Sequence, residues 1–177
     1  MIVPDGCVGS IANVIEAALR DGEIEYERLA DNVFAVSLPG AARLRTACLL
    51  TIGERALSVQ AFVLRRPDEN REAVYAWLLR GNPQMYAVSW SLDAAGDIYL
   101  TGKVPFAAVD ADEIDRVLGA VLEYSDGSFN SLLELGFGSS IRREWAWRVK
   151  AGESLANLAA FSDFVQRTAS GTADSSD

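Results

Sequence analysis

The side chains best suited to chemistry in this sequence are arginines and tryptophans. Arg65, Arg66, Arg71 and Arg80 gather around one predicted helix, with Arg65 and Arg66 leaving a strand just where that helix begins. Guanidinium forks bind carboxylates and phosphates through paired hydrogen bonds, and a helix N-terminus favours anions. Such a group could hold a phosphate or a partner's carboxylate. The sequence favours a plainer reading, a solvated strand end whose arginines pair with Asp68, Glu69 and Glu72. A second group comprises Trp77, Tyr86, Trp90 and Tyr99, together with Trp145 and Trp147 near the C-terminus, where Arg142, Arg143 and Arg148 flank the tryptophans. Tryptophan and arginine are both enriched at binding hot spots. Packing of the C-terminal segment onto a sheet is the favoured alternative. Trp145 and Trp147 would point the same way in an extended segment. In a helix they diverge by about 200°, which leaves at least one exposed.

Catalytic chemistry has little to work with. The chain contains no histidine, which removes Ser-His-Asp and Cys-His catalysis, imidazole metal ligands and imidazole pH switching. Cys7 and Cys48 cannot build a zinc site that needs four thiolates, and Cys48 alternates within an apolar strand as a buried free thiol would. Asp110, Asp112, Glu113 and Asp115 could hold Mg²⁺ or Ca²⁺ or act as acid and base, but they lack the ligand alternation and glycine of a calcium loop. They coincide with a helix start, where acids stabilise the dipole in any case. Gly136-Phe137-Gly138-Ser139-Ser140 follows a helix rather than a strand and no lysine comes after it, so it is no phosphate loop. A serine–lysine dyad with Lys103 or Lys150 has no spacing motif behind it. No cofactor and no metal are expected.

Elements must position these groups, and the apolar periodicity places them. Ser10 is an N-cap candidate for a first helix whose face is Ile11, Val14, Ile15, Ala18 and Leu19, ending at Asp21-Gly22. Strands follow at Ile24–Leu29 and Val33–Leu38, then two longer ones carrying Leu44 to Ile52 and Leu57 to Leu64. The long pair bears apolar groups on both faces, which predicts the middle of the sheet. Pro67 stops the fourth strand, Asp68 can cap the next helix, and Ala73, Val74, Trp77 and Leu78 form its inward stripe. A second hairpin runs from Tyr86 to Leu92 and from Ile98 to Val104. Asp110 and Glu113 form a capping box for a helix striped by Ile114, Val117, Leu118, Val121 and Leu122. Ser125 to Ser128 is expected to interrupt it, with a further helical piece from Phe129 to Leu135.

The fold class expected is α+β, an antiparallel sheet flanked by helices in the order α-β-β-β-β-α-β-β-α, with a C-terminal helical segment. Without alternating βαβ units, a Rossmann or barrel fold is not expected. The division predicted is a mobile N-terminus over 1–9, one domain over 10–167 with a helical and aromatic segment at 138–167, and a disordered tail over 168–177. That tail carries only Ala, Ser, Gly, Thr and Asp, too polar to offset its ordering entropy.

The net charge is −9 over 177 residues, half of them hydrophobic, which suits a globular domain and repels nucleic acid and anionic membranes. No apolar run approaches the roughly 20 residues that span a bilayer. Met1–Ser10 shows no basic segment followed by an apolar one, so neither secretion nor lipidation at Cys7 is expected, and the expected location is the cytoplasm.

Four stretches together resemble the YbjN-domain family as it occurs in actinobacteria: LTIGERALSVQAFVLRRPDENREAVYAWLLRGN, DIYLTGKV, DADEIDRVLGAVL and LLELGFGSSIRREWAWR. The resemblance covers roughly Ser10 to Phe161. Members are described as sensory transduction regulators. The resemblance implies the fold of type III secretion chaperones, often dimeric, and supplies no catalytic residues. The functional expectation is a non-catalytic protein-binding module, chaperone-like or regulatory, forming a homodimer, with its protein partner unspecified. The alternatives are a sensor of a small anionic metabolite bound by the arginines and, least favoured, an enzyme using carboxylates.

Overall fold

The structure, a computed structural model, describes the backbone of residues 5–171 and the side chains of residues 8–167. Its frame is a six-stranded antiparallel sheet in the order β1-β2-β3-β4-β6-β5, where β1 is Glu25–Ala30, β2 Val33–Pro39, β3 Arg45–Ile52, β4 Ala56–Leu64, β5 Val88–Leu92 and β6 Ile98–Pro105. Helices α1 (Asp5–Asp21), α2 (Arg71–Gly81) and α3 (Ala111–Ala151) accompany the sheet, and α4 (Ser162–Gly171) closes the described chain. The expected α+β class and element order are both present.

Period-two patterning decides which side of the sheet is covered. Phe34, Val36 and Leu38 of β2, Cys48, Leu50 and Ile52 of β3, Leu57, Val59, Ala61 and Val63 of β4, and Leu100 and Val104 of β6 are buried beneath the helices. β3 and β4 do lie centrally. Their second face, however, is open: Arg45, Ala47, Leu49 and Gln60 are exposed there. Apart from Leu49, the exposed side chains named there are small or polar and need no cover, which is how an antiparallel sheet can face water on one side.

Helix boundaries differ from the sequence reading wherever a long-range contact intervenes. Helix α1 starts at Asp5, so Ser10 lies inside it rather than at its cap. Val8 packs on the core one turn before Ile11 and Ala12, and this contact carries the helix back through the supposed start. At its end the left-handed residue is Glu23 (φ 52°), not Gly22. Helix α2 starts at Arg71 after a left-handed Asn70 (φ 50°), two residues past the expected Asp68 cap.

Helix α3 runs unbroken through Ser125–Ser128, where a break was expected. The fully buried Ser125 hydroxyl meets Thr46 of β3 at 3.1 Å, and Asp126 accepts backbone N–H bonds from Ala41, Ala42 and Arg43 in the β2–β3 loop. These bonds to the sheet hold the helical phase that the local composition would give up. The interruption occurs instead at Phe137 (φ −140°, ψ 16°), between Gly136 and Gly138. Residues 1–4 and 172–177 lie outside the described residues, as does the Cys7 side chain. Helix α4 reaches Gly171 and so enters the stretch read as a tail.

Candidate functional site

The break in α3 is where the candidate site assembles. Interrupting a helix orphans carbonyls on one side and N–H groups on the other. The β4–α2 loop supplies partners for both. Asp68 and Glu69 donate their N–H groups to the Gly136 carbonyl, each at 3.1 Å, and Asn70 Nδ2 donates to the Leu135 carbonyl at 3.0 Å. Glu69 then caps the second half of α3: its carboxylate accepts from Ser139 N at 2.5 Å and from Ser139 Oγ at 2.6 Å. A Cβ on Gly136 would press on Pro67, and one on Gly138 would press on Phe164, so both glycines allow close approach here.

This clamp joins two arginine groups that are far apart in the chain. Arg65 grips Asp68 through both terminal nitrogens, at 2.7 and 2.8 Å, and lies 4.4 Å over the Phe137 ring. The Arg65 hydrogen bond, followed by the charges of Arg65, Arg143 and Arg71, holds the Asp68 carboxyl below its usual range. Glu69 is held low by its Ser139 bonds, with a smaller contribution from the Arg142 charge. Arg142 itself stands 5.3 Å over the Phe164 ring. Arg65, Arg71, Arg142 and Arg143 therefore surround one short acidic loop. Arg66 donates its backbone N–H to Asp97 and lines a cavity of about 350 Å³ with Arg65, Asp68 and Arg71. Arg80 stands further along α2, sharing with Arg71 the wall of a shallow cavity of about 530 Å³. The pairing expected for the strand end is present for Asp68. Glu69 turns to Ser139 instead.

The aromatic set is divided. Trp77 and Trp90 meet with centroids 6.2 Å apart, and Tyr99 meets Phe62 edge-on at 5.4 Å. Tyr86 donates its hydroxyl to Glu113, and Arg116 reaches both. Trp145 is half-buried and Trp147 is 54% exposed, the divergence a helix imposes. Beside Trp90 lies an apolar groove of about 210 Å³ lined by Tyr75, Leu78, Leu79, Trp90, Ser91 and Leu92. Leu79 is 66% and Leu92 44% exposed.

The two edges of the sheet are closed by different means. On β1, Glu25 pairs with Arg45 at 2.6 Å and Arg28 with Glu16 at 3.0 Å, and charge of this kind deters strand pairing. On β5 the Asn82 side chain accepts from Trp90 N at 2.7 Å and donates to Trp90 O at 3.3 Å, taking the place of a neighbouring strand. The sequence reading gives no contact to Asn82 or to the half-buried Arg43, pairs Glu69 with the strand-end arginines and places Asp126 in a break of α3. Nothing local distinguishes them, because each acts on a residue distant in the chain or in another element.

The acidic group is resolved as a cap. Asp110 accepts from Glu113 N at 2.8 Å, which is half of the expected capping box, while the Glu113 side chain is spent on Tyr86 and Arg116. Among the described residues no group of three or more acidic or cysteine side chains could hold a metal ion. Burial pushes the Cys48 thiol up to about 12, a Gln60 backbone bond opposing it. Among the described residues no helix is long and apolar enough to cross a membrane.

Residues 12–134 match the family profile described as "Putative bacterial sensory transduction regulator", which is YbjN. The chain belongs to the YbjN family. It is similar to an uncharacterised protein of Mycobacterium tuberculosis, 51% identical over 157 residues and 86% of each chain. Another, from Mycobacterium leprae, is 49% identical over 166 residues, 91% of this chain and 90% of the relative. Two solved structures share the fold seen here. One is from the HopA1–SchA chaperone–effector complex, with a TM-score of 0.54, 14% identity, and coverage of 70% of this chain and 96% of that one. The other is from the ExsC–ExsE complex, with a TM-score of 0.54, 11% identity, and coverage of 71% and 95%. The secretion-chaperone fold expected from the sequence is present.

Proposed function

We propose that this protein is a non-catalytic protein-binding module, chaperone-like or regulatory, that acts in the cytoplasm as a homodimer. The observation that carries the reading is the α2–β5 border. Trp77, Leu79, Tyr86 and Leu92 are all exposed along it, and Tyr75, Leu79 and Leu92 line an apolar groove there. Exposed apolar surface of this kind marks interaction sites. Because Asn82 occupies the backbone of β5 at Trp90, a partner meets side chains there rather than adding a strand. The family description and the chaperone-like fold support the same reading.

Sedimentation at micromolar concentration should give a mass near twice 19.1 kDa. The mass should not respond to salt, since screening weakens exposed charge pairs and not apolar contact. Leu79→Lys combined with Leu92→Lys should return a monomer. A strict monomer in the unaltered protein would refute the homodimer, and a dimer indifferent to both lysines would remove the α2–β5 border from the interface. A second reading, binding of a small anionic metabolite, is favoured by the guanidinium groups of Arg66 and Arg80 and the terminal nitrogens of Arg71. Among the described residues no carboxylate pairs with them, while the chain as a whole is acidic. A phosphorylated metabolite that raises the melting temperature, an effect abolished by Arg71→Ala, would establish it.

A further inference from the structure

We propose that Arg43, Arg65, Arg66, Arg71 and Arg80 form one continuous track that seats an extended acidic segment of a partner protein. Such a track rests on the protein-binding reading, whose partner chemistry it names, and needs neither the homodimer nor the α2–β5 border.

Three shallow cavities are joined by shared side chains. Arg43 and Arg65 line one of about 260 Å³. Arg65 also lines the second, of about 350 Å³, together with Arg66 and Arg71. Arg71 passes on to the third, of about 530 Å³, which Arg80 lines as well. The end of β4 therefore hands its arginines to the start of α2 without a gap.

Few of these charges are spent. Elsewhere Arg20, Arg28, Arg45, Arg116, Arg148 and Arg167 each pair with a carboxylate. In the track only Arg65 does, with Asp68. Arg43 donates instead to the Phe62 and Val63 carbonyls, at 2.8 and 2.7 Å, and Arg71 to the Pro67 carbonyl at 3.0 Å. Asp97 lines the middle cavity, yet its carboxylate accepts the backbone N–H of Arg66 at 2.7 Å and not the guanidinium. Five guanidinium groups thus face three carboxylates, Asp68, Glu72 and Asp97, in a chain whose net charge is −9. A local positive surplus on an acidic protein steers an acidic ligand to that place. Burial lowers the Arg43 pKa, and a carboxylate seated beside it would offset that cost.

Length selects the ligand. Arg71 and Arg80 belong to opposite ends of α2, roughly 13 Å of helical rise apart, which no single phosphate or carboxylate bridges. An extended peptide advances about 3.3 Å per residue, so acids at alternate positions meet successive guanidinium groups. Guanidinium forks match carboxylates in geometry as well as charge. Single-stranded nucleic acid fits less well, because its bases need open aromatic faces to stack on. The rings of Phe62 and Phe129 already carry Arg43, and that of Phe137 carries Arg65. A long polyanion is also repelled by the acidic remainder of the chain.

Fluorescence anisotropy of the full chain with a labelled ten-residue peptide of alternating Glu and Gly tests this. The peptide should bind at low salt and weaken as salt rises. Arg66→Ala and Arg80→Ala should each weaken binding about two- to fivefold, the scale of an exposed charge pair, and their effects should multiply. Both side chains are exposed, and circular dichroism should show both variants folded. Arg55→Ala removes an exposed arginine outside the track and should change nothing. A Glu-Gly dipeptide and inorganic phosphate should each bind at least about tenfold more weakly than the ten-residue peptide, since neither reaches from Arg71 to Arg80. No binding of the long peptide at low salt, or binding indifferent to the double variant, would overturn the track. Equal binding of dipeptide or phosphate with the same arginine dependence would replace it with a small-anion site, and tighter binding of a ten-nucleotide single strand would exclude an acidic peptide as its ligand. None of these results alters the sedimentation test of the homodimer, so the protein-binding reading stands or falls separately.

Discussion

Asp126 offers a sharp test of how the sheet and α3 are joined. Its two oxygens accept the backbone N–H groups of Ala41, Ala42 and Arg43 at 3.0, 2.9 and 2.8 Å. Gly40 leaves room for the carboxylate, because a Cβ there would collide with it. Burial by itself would raise the Asp126 pKa. The three backbone bonds outweigh it and hold the carboxyl below its usual range. Bonds to a charged group contribute about 1.5–3 kcal/mol each, but this loop is partly open to water, which replaces some of what is lost. Asp126→Ala should therefore cost about 2–4 kcal/mol in total, well below the sum of three. Asp126→Asn keeps one acceptor oxygen and turns an NH₂ toward a donor, so about 1–2 kcal/mol is expected. Urea unfolding followed by tryptophan fluorescence measures both. The pH dependence supplies a second readout. A carboxyl with a depressed folded pKa stabilises fully above its unfolded value of about 3.9, and that stabilisation is lost as pH falls through the folded value. Asp126→Asn should accordingly flatten the loss of stability below about pH 4 while lowering the plateau above it. An unchanged urea midpoint for both variants would refute the docking role. A lower plateau with an unaltered acid limb would refute the charge argument alone.

Three further outcomes follow from single contacts. Asp110→Ala should cost about 1 kcal/mol in denaturant unfolding through loss of the α3 cap, whereas Asp112→Ala, which caps nothing, should cost little. Thr46→Val should cost about 1 kcal/mol, because the buried Ser125 hydroxyl keeps its weaker bond to Leu122 O at 3.3 Å and is not left wholly unpaired. Cys48, buried and with its thiol pushed up to about 12, should resist alkylation at pH 8 in the native state and react on unfolding, as peptide mapping would show; native labelling at Cys48 would mean that the sheet opens readily.

Much of the frame was legible because period carries the information. Alternation marks the strands, and Ile114, Val117, Leu118 and Val121, all buried, mark the inward stripe of α3. The misreadings share one cause. Ser125 to Ser128 reads as a turn by composition, yet Thr46 and the β2–β3 loop, some eighty positions away, keep it helical. Asp68 reads as a cap by position, yet Arg65 takes its side chain and the helix waits for Asn70. Local propensity is a weak prior that tertiary bonds override. The candidate site was legible only in halves. Arg65 and Arg71 could be seen beside α2, and Arg142 and Arg143 beside the tryptophans, but nothing in the sequence says that the two groups face one loop.

That meeting also bears on how association can occur. An antiparallel sheet with free edges tends to pair through its backbone. Here charge guards β1, and Asn82 satisfies both outward backbone groups of Trp90 on β5. The exposed apolar side chains of the α2–β5 border lie beside the guarded edge, so binding there is by packing in a groove. Packing of that kind depends on the shape of α2, and α2 begins in the loop that clamps the break in α3.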